Sequence, residues 1–179
     1  MTTASLTIVY DQPIAMTATS ATPLPAGFAE LYERHYDAVF RAALRVTGNP
    51  ADAEDVLQTV FLRVLAQGRD ASAAPPPAAY FRRAAVNAAV DLLRRRTVHA
   101  ESAYDDQAPH AAVEAPTLLK EQLRRAIATL ESDDATLFLL RHVEGLSNDE
   151  LAAMFQLEKN NVAVRLHRIR HRLQTEMQR

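Results

Sequence analysis

Apolar residues recur at three- and four-residue intervals through most of the chain, which is the spacing of helices that bury one face. The pattern is clearest where Leu166, Ile169 and Leu173 follow Val162. Ala, Leu and Arg are abundant and Gly is scarce, a composition that favours helices over sheets. We therefore predict an all-α fold with helices over residues 28–47, 51–66, 78–96, 117–130, 135–143, 148–155 and 159–173.

Residues that begin and end helices stand at several of these predicted boundaries. Asn49 is a fitting N-cap for the second helix, and Pro50 suits its first turn. Ser147 is followed three residues later by Glu150, which predicts a capping box at the start of the sixth helix. The other expected boundary residues are Gly48 after the first helix and either Ser132 or Asp133 before the fifth.

The pattern also divides the chain into segments. Residues 1–27 show no period and predict a disordered N-terminal extension, although Leu6 to Tyr10 could form an isolated strand. Residues 28–97 form a three-helix unit, and residues 117–179 form a second helical unit that ends in a helix-turn-helix. Residues 98–116 are acidic, contain Pro and lack Lys and Arg, so we predict a flexible linker between two small domains.

The last predicted helix carries chemistry suited to a DNA major groove. Its apolar side would be buried, while its other side offers only cationic and amide groups. Arg can bind guanine through two hydrogen bonds and Asn can bind adenine in the same way, although a solvated basic helix would show the same pattern. The candidate DNA-reading residues are Lys159, Asn160, Asn161, Arg165 and Arg168.

The third predicted helix places an aromatic residue among cations. Tyr80 could stack on unpaired bases while neighbouring cations hold phosphates, or it could simply cover the core. On the second helix, Asp55 and Gln58 lie away from the apolar stripe, and taken alone they suit a solvated face.

Composition excludes several other functions. The chain of 179 residues has a net charge of −2, but the positive charge is concentrated at Arg94 to Arg96 and along the last helix. There is no Cys, so disulfides and thiolate metal sites are excluded. No metalloprotease, phosphate-loop or nucleophile-elbow motif occurs, which predicts a protein that is not an enzyme and has no cofactor. His167 and His171 are four residues apart, but on a basic helix they suit DNA or solvent better than a metal.

Two stretches of the chain resemble one family. They are LYERHYDAVFRAALRVTGNPADAEDVLQTVFLRVL with YFRRAAVNAAVDLLRRR, and LESDDATLFLLRHVEGLSNDELAAMFQLEKNNVAVRLHRIRHRL. Their order and spacing are similar to those of bacterial RNA polymerase sigma factors of the extracytoplasmic-function (ECF) type. The resemblance implies a subunit that binds core RNA polymerase and directs it to promoters for transcription initiation. It also implies an anti-sigma protein as a further partner.

The resemblance implies a role for each helix. The second helix would dock on the clamp helices of the largest polymerase subunit through Asp52, Glu54, Asp55 and Gln58. The last helix would read the minus-thirty-five promoter element through the residues given above. The third helix would recognise and melt the minus-ten promoter element through Tyr80, Arg82, Arg83, Asn87, Arg94, Arg95 and Arg96.

The chain departs from the family pattern at three positions. The family usually has Trp near the start of the promoter-melting helix, where this chain has Tyr80 as its candidate aromatic contact. Glu158 stands where Ser or Thr usually caps the recognition helix, and Ala163 stands where Lys or Arg is frequent. The differences at Glu158 and Ala163 would weaken binding to the upstream element or alter its sequence preference.

Two further expectations concern an alternative function and the location of the protein. The alternative function is a free-standing dimeric helix-turn-helix regulator, in which the second helix would be a dimer face and the DNA site a palindrome. No apolar run is long enough to cross a bilayer, and no basic segment followed by an apolar core marks a secretory signal, so we expect a cytoplasmic protein without membrane insertion.

Overall fold

The computed structural model describes residues 24–67, 77–102 and 115–178. Seven α-helices account for most of these ranges, and no strand occurs within them, which confirms the predicted all-α class. The predicted N-terminal extension lies outside the described residues up to position 23. The helices are α1 (Phe28–Thr47), α2 (Pro50–Ala66), α3 (Ala78–Ser102), α4 (Ala115–Ala128), α5 (Ser132–His142), α6 (Asn148–Phe155) and α7 (Lys159–Met177).

The first three helices pack around an aromatic centre. Phe81 of α3 is fully buried and lies 5.7 Å, between ring centroids, from Phe61 of α2. His35 of α1 stacks nearly parallel on Phe81 with 4.1 Å between ring centroids. Burial lowers the pKa of His35, and the nearby charge of Arg34 lowers it further. The imidazole therefore acts as a neutral flat ring within the core.

The last four helices form a second unit around aliphatic side chains. Leu137 and Leu140 of α5, Leu151 of α6 and Val162 of α7 are fully buried. Leu146, in the turn before α6, is also buried in this core. These contacts orient α7 so that one side lies on the core and the other faces solvent.

The two units also pack against each other. The side of α3 that faces away from α1 and α2 contacts α4 and α5, so the apolar core is continuous through both units. Helix α3 is therefore the central element of the molecule.

Local signals explain most helix ends. Asn49 Oδ1 accepts a hydrogen bond from the Ala51 amide at 2.9 Å, and Gly48 adopts a left-handed φ of 70°, as predicted. The capping box is also confirmed: Ser147 Oγ accepts from the Glu150 amide, and Glu150 accepts from the Ser147 amide. The hydrogen bonds from the Ser147 backbone and side chain lower the pKa of Glu150.

Several predicted boundaries differ from the structure, and among them α7 runs to Met177, four residues beyond its predicted end. Helix α3 continues to Ser102, beyond its predicted end and into the predicted linker, of which residues 103–114 lie outside the described residues. Helix α5 begins at Ser132 rather than after it, so the expected caps Ser132 and Asp133 lie inside the first turn. Glu131 occupies the cap position without a side-chain hydrogen bond. Helix α4 runs from Ala115 to Ala128, two residues earlier at both ends than predicted.

Candidate nucleic-acid and docking interfaces

Helix α7 presents its polar side to solvent because its apolar side is anchored. Val162, Leu166, Ile169 and Leu173 are buried against the second unit. A tight turn joins α6 to α7, and in it Gln156 adopts a left-handed φ of 55°. On the opposite side of α7, all predicted reading residues reach the surface: Lys159, Asn160, Asn161 and Arg168 are exposed, and Arg165 is half-buried.

Two carboxylates contact cations on this surface. Arg165 Nε donates to Asp134 Oδ1 of α5 at 2.5 Å, and both side chains are partly buried. Lys159 Nζ donates to Asp149 Oδ2 of α6 at 2.8 Å, and both side chains are mostly exposed. The candidate groove-reading surface is therefore not uniformly basic, because two of its cations are paired within the chain. Neither Asp134 nor Asp149 was predicted, because both lie on other helices, 31 residues before Arg165 and 10 residues before Lys159.

The basic end of α3 is exposed. Arg95 and Arg96 reach solvent there, which suits contacts to phosphates. At the other end of α3, Tyr80 is half-buried, packs edge-on against Phe81 and accepts a hydrogen bond from Gln67 Nε2 at 3.3 Å. Tyr80 thus packs against the core and leaves part of its side chain accessible.

The middle of α3 faces the second unit. Arg83 donates to the Met154 carbonyl at 2.7 Å, and its guanidinium lies 4.4 Å from the centre of the Phe155 ring. Asn87 Oδ1 accepts a hydrogen bond from Thr136 at 2.5 Å.

Arg94 and Arg82 are also held on this side of α3. Arg94 donates to the carbonyls of Ala128 and Leu130. Arg82 is half-buried, and its Nε atom is buried without a hydrogen-bond partner among the described residues. Several candidate minus-ten residues are therefore occupied by contacts between the two units in this arrangement.

The outer side of α2 is polar and exposed. Glu54, Asp55 and Gln58 all reach solvent. Leu62, one turn after Gln58, is 62% exposed and was missed from the sequence because it lies outside the apolar stripe. Asp55, Gln58 and Leu62 line a cleft of about 430 Å³ between α2 and α3. This side of α2 therefore offers carboxylate, amide and apolar groups to a partner.

Asp52 does not belong to this exposed face. It is only 2% exposed, and its Oδ1 atom accepts a hydrogen bond from Arg96 of α3. Its Oδ2 atom is buried without a partner among the described residues. Asp52 thus joins α2 to α3, and its burial opposes the direct polymerase contact that the sequence suggested.

Comparison with known proteins identifies both units. The family model for sigma-70 region 2 matches residues 31–98, and the model for sigma-70 region 4 matches residues 120–173. The RNA polymerase sigma-E factor of Streptomyces avermitilis is 30% identical over 84% of this chain and 85% of its own length. The ECF RNA polymerase sigma factor SigE of Mycolicibacterium smegmatis is also 30% identical, over 80% of this chain and 59% of its own.

A solved structure has a similar fold. The structure of CnrH in complex with the cytosolic domain of CnrY covers 83% of this chain and 85% of that chain, with a TM-score of 0.50 and 23% identity. It supports the arrangement of helices.

Two sigma-70 regions in this order define the class of protein as a transcription initiation factor rather than an enzyme. Within that class, the chain belongs to the ECF sigma factors of RNA polymerase. This family does not favour the free-standing dimeric regulator considered above. Among the helices that the structure describes, none is both long and apolar enough to span a bilayer.

Proposed function

We propose that this ECF sigma factor binds core RNA polymerase through the outer side of α2 and reads promoter DNA through α3 and α7. The observation that carries the proposal is the exposed face of Glu54, Asp55, Gln58 and Leu62, which lies beside the basic end of α3. One small unit thus presents an acidic face with one exposed leucine to a protein and a cationic end to DNA. We assign the polymerase contact to Asp55 and Gln58, with Glu54 and Leu62 beside them.

Helix α7 would read the minus-thirty-five element in the major groove. Its exposed Asn160 and Asn161 stand in the first turn, the part of a recognition helix that meets base edges in helix-turn-helix proteins. Arg165 and Arg168 follow on later turns, where Arg can bind guanine or phosphate. The anchored apolar side of α7 supplies the rigidity that base reading needs.

Helix α3 would bind the minus-ten element. Arg95 would hold a phosphate, with Arg96 beside it although its Nη2 atom pairs with Asp52, and Tyr80 would stack on a base that has left the duplex. Melting then needs no catalytic group, because tighter binding to unstacked bases than to duplex is sufficient. Arg82, Arg83, Asn87 and Arg94 would join this surface only after the second unit has moved away from α3.

The length of chain between the units is sufficient for that movement. An extended segment of the length between Ser102 and Ala115 reaches about 40 Å. Once α3 is bound to the polymerase and the minus-ten element, such a tether keeps α7 at high local concentration near the upstream element. Two modest DNA contacts then act together.

We further propose an anti-sigma protein as a partner and the cytoplasm as the location. The CnrH structure contains the cytosolic domain of CnrY, and this chain shares the fold of CnrH. Core RNA polymerase and promoter DNA, the two proposed partners, are both in the cytoplasm of bacteria.

Binding to purified core RNA polymerase tests the docking face. We expect Asp55→Ala/Gln58→Ala to weaken binding by about 2 kcal/mol, because hydrogen bonds to the partner are left unmade. Glu33→Ala/Gln122→Ala is the matched control, since it also removes one carboxylate and one amide from exposed helical positions. Equal binding by wild type and the Asp55→Ala/Gln58→Ala variant would place the docking face elsewhere. Failure of wild type to bind would reject the proposed function.

A further inference from the structure

The pairing of Arg165 with Asp134 differs from an ordinary surface ion pair. Arg165 lies near the middle of the polar side of α7, between Asn161 and Arg168. Its Nε atom donates to Asp134 Oδ1 at 2.5 Å, and the side chains are only 34% and 23% exposed. Asp134 belongs to the first turn of α5, whose neighbours Ala135 and Thr136 are fully buried. The position of the Asp134 carboxylate is therefore fixed by the packing of the first turn of α5.

The geometry of this contact leaves part of the guanidinium free. Arg has five N–H donors in a planar fork, and Asp134 receives the one on Nε. The two terminal nitrogens remain for another partner, and together they match the O6 and N7 acceptors of guanine in the major groove. Arg165 and Asn161 line a cleft of about 500 Å³ with Asp134, which provides open space on this side.

Holding Arg165 in place also has an entropic effect. A free Arg side chain loses rotamer freedom when it is fixed. Asp134 restricts Arg165 before DNA arrives, so less of that entropy is lost on binding. By contrast, Lys159 and Asp149 are 63% and 67% exposed, and such a solvated pair restricts the cation little.

We propose that Asp134 is a positioning residue that sets the specificity of Arg165 for guanine in the upstream promoter element. The inference rests on the proposed DNA-reading function of α7. The Asp134 carboxylate could act on DNA binding in two ways, through its negative charge or by positioning Arg165, and the two predict different results. A negative charge near DNA repels phosphates, so its removal should tighten binding to every sequence. A positioning role predicts that removal weakens the discrimination at one base pair.

The test is a binding selection with the reconstituted RNA polymerase holoenzyme on promoters whose upstream element is randomised. For wild type we expect one position to show a guanine preference that Arg165→Ala abolishes. Asp134→Asn should reduce that preference about tenfold at the same position and leave the other positions unchanged. Adding Asp134→Asn to Arg165→Ala should cause no further loss of preference.

Asp149→Asn is the matched control because it makes the same charge change beside Lys159. We expect it to leave the preference at the Arg165 position within about twofold of wild type. Asp134→Glu, which keeps the carboxylate, should retain more of the guanine preference than Asp134→Asn. Thermal unfolding of each variant shows whether the fold is intact, and a purely structural role would lower stability without a change at one base position.

Two results would overturn the inference in distinguishable ways. If Asp134→Asn keeps the full guanine preference, or changes all positions equally, Asp134 acts only through its charge or its packing. If Arg165→Ala itself changes no position, Arg165 does not read a base, and the assignment of Arg165 within the proposed function fails together with this inference.

Discussion

Two aspartates in the first turns of α2 have different environments. Asp52 is 2% exposed and pairs with Arg96, whereas Asp55 is exposed beside Gln58. Asp52 lies in the first turn of α2, where the helix dipole favours an acidic residue most, and Asp55 lies in the next turn. Only the packing of α3 on α2 distinguishes a residue that holds the fold from one that faces solvent.

This distinction predicts that replacing Asp52 lowers stability, whereas replacing Asp55 weakens binding. Asp52→Ala should lower the free energy of unfolding by about 2 kcal/mol, less than for a fully buried pair because Arg96 is 58% exposed. Asp55→Ala should change it by less than about 0.5 kcal/mol and instead weaken polymerase binding. Urea unfolding monitored by circular dichroism measures the first effect. Equal stability of the two variants would contradict the assignment of Asp52 to the joint between α2 and α3.

At the scale of elements, the two helices of the helix-turn-helix begin differently. Helix α6 has a complete capping box from Ser147 and Glu150. Helix α7 begins after Glu158, whose backbone is extended as a cap requires but whose side chain makes no capping hydrogen bond. The longer Glu side chain fits this position poorly, so amides in the first turn of α7 lack a side-chain acceptor at the cap.

We expect Glu158→Ser to stabilise the protein by about 1 kcal/mol, because Ser can accept a hydrogen bond from the first turn of α7. The substitution also removes a negative charge near the DNA, so upstream-element binding should tighten, more at low salt than at high salt. Thermal unfolding and DNA binding at two salt concentrations measure these effects. Ser147→Ala is the control and should cost about 1 kcal/mol. Unchanged stability of Glu158→Ser would mean that the cap of α7 is already satisfied.

At the scale of the whole molecule, the second unit packs against α3 and is hydrogen-bonded to α1, an arrangement that we call closed. Arg45 of α1 donates two hydrogen bonds of 3.0 Å to Glu144, which follows α5. Arg124 of α4 donates to the Val46 carbonyl at 3.1 Å. These contacts hold the second unit over Arg83, Asn87 and Arg94 of α3. If those α3 side chains bind the minus-ten element, the closed arrangement and the promoter complex exclude each other.

A covalent link at a pair outside the DNA surfaces tests this exclusion. Because the chain has no Cys, Arg45→Cys/Glu144→Cys introduces a unique pair that a short bismaleimide can join. We expect the cross-linked protein to lose promoter-dependent transcription with core polymerase about tenfold or more, since the open state can no longer form. The same variant without the reagent should remain active.

The matched control is Asp37→Cys/Arg41→Cys, a pair one turn apart on α1 that the same reagent can join within one helix. Its activity should survive the reagent. Full activity of the cross-linked Arg45→Cys/Glu144→Cys protein would show that the closed contacts are compatible with initiation.

Local information determined the helices and the family. The bounds of α1 and the caps at Asn49 and Ser147 were predictable because they depend on neighbours within a few residues. The end of α3 was not predictable, because its last turns contain neither Gly nor Pro to mark a stop. The cap of α5 was misjudged because Ser132 and Asp133 are better caps on local grounds than Glu131, which occupies the cap position without a side-chain hydrogen bond.

The sequence by itself determined an all-α sigma factor with apolar faces for two helical units, since periodicity and motif order are properties of the chain. Tertiary structure alone decided which polar side chains are exposed and unpaired, and so able to bind another molecule. The burial of Asp52, the pairing of Arg165 with Asp134 and the contact of Asn87 with Thr136 all join residues far apart in sequence. Such contacts depend on how whole helices pack, and no local pattern encodes which side chain a distant helix will meet.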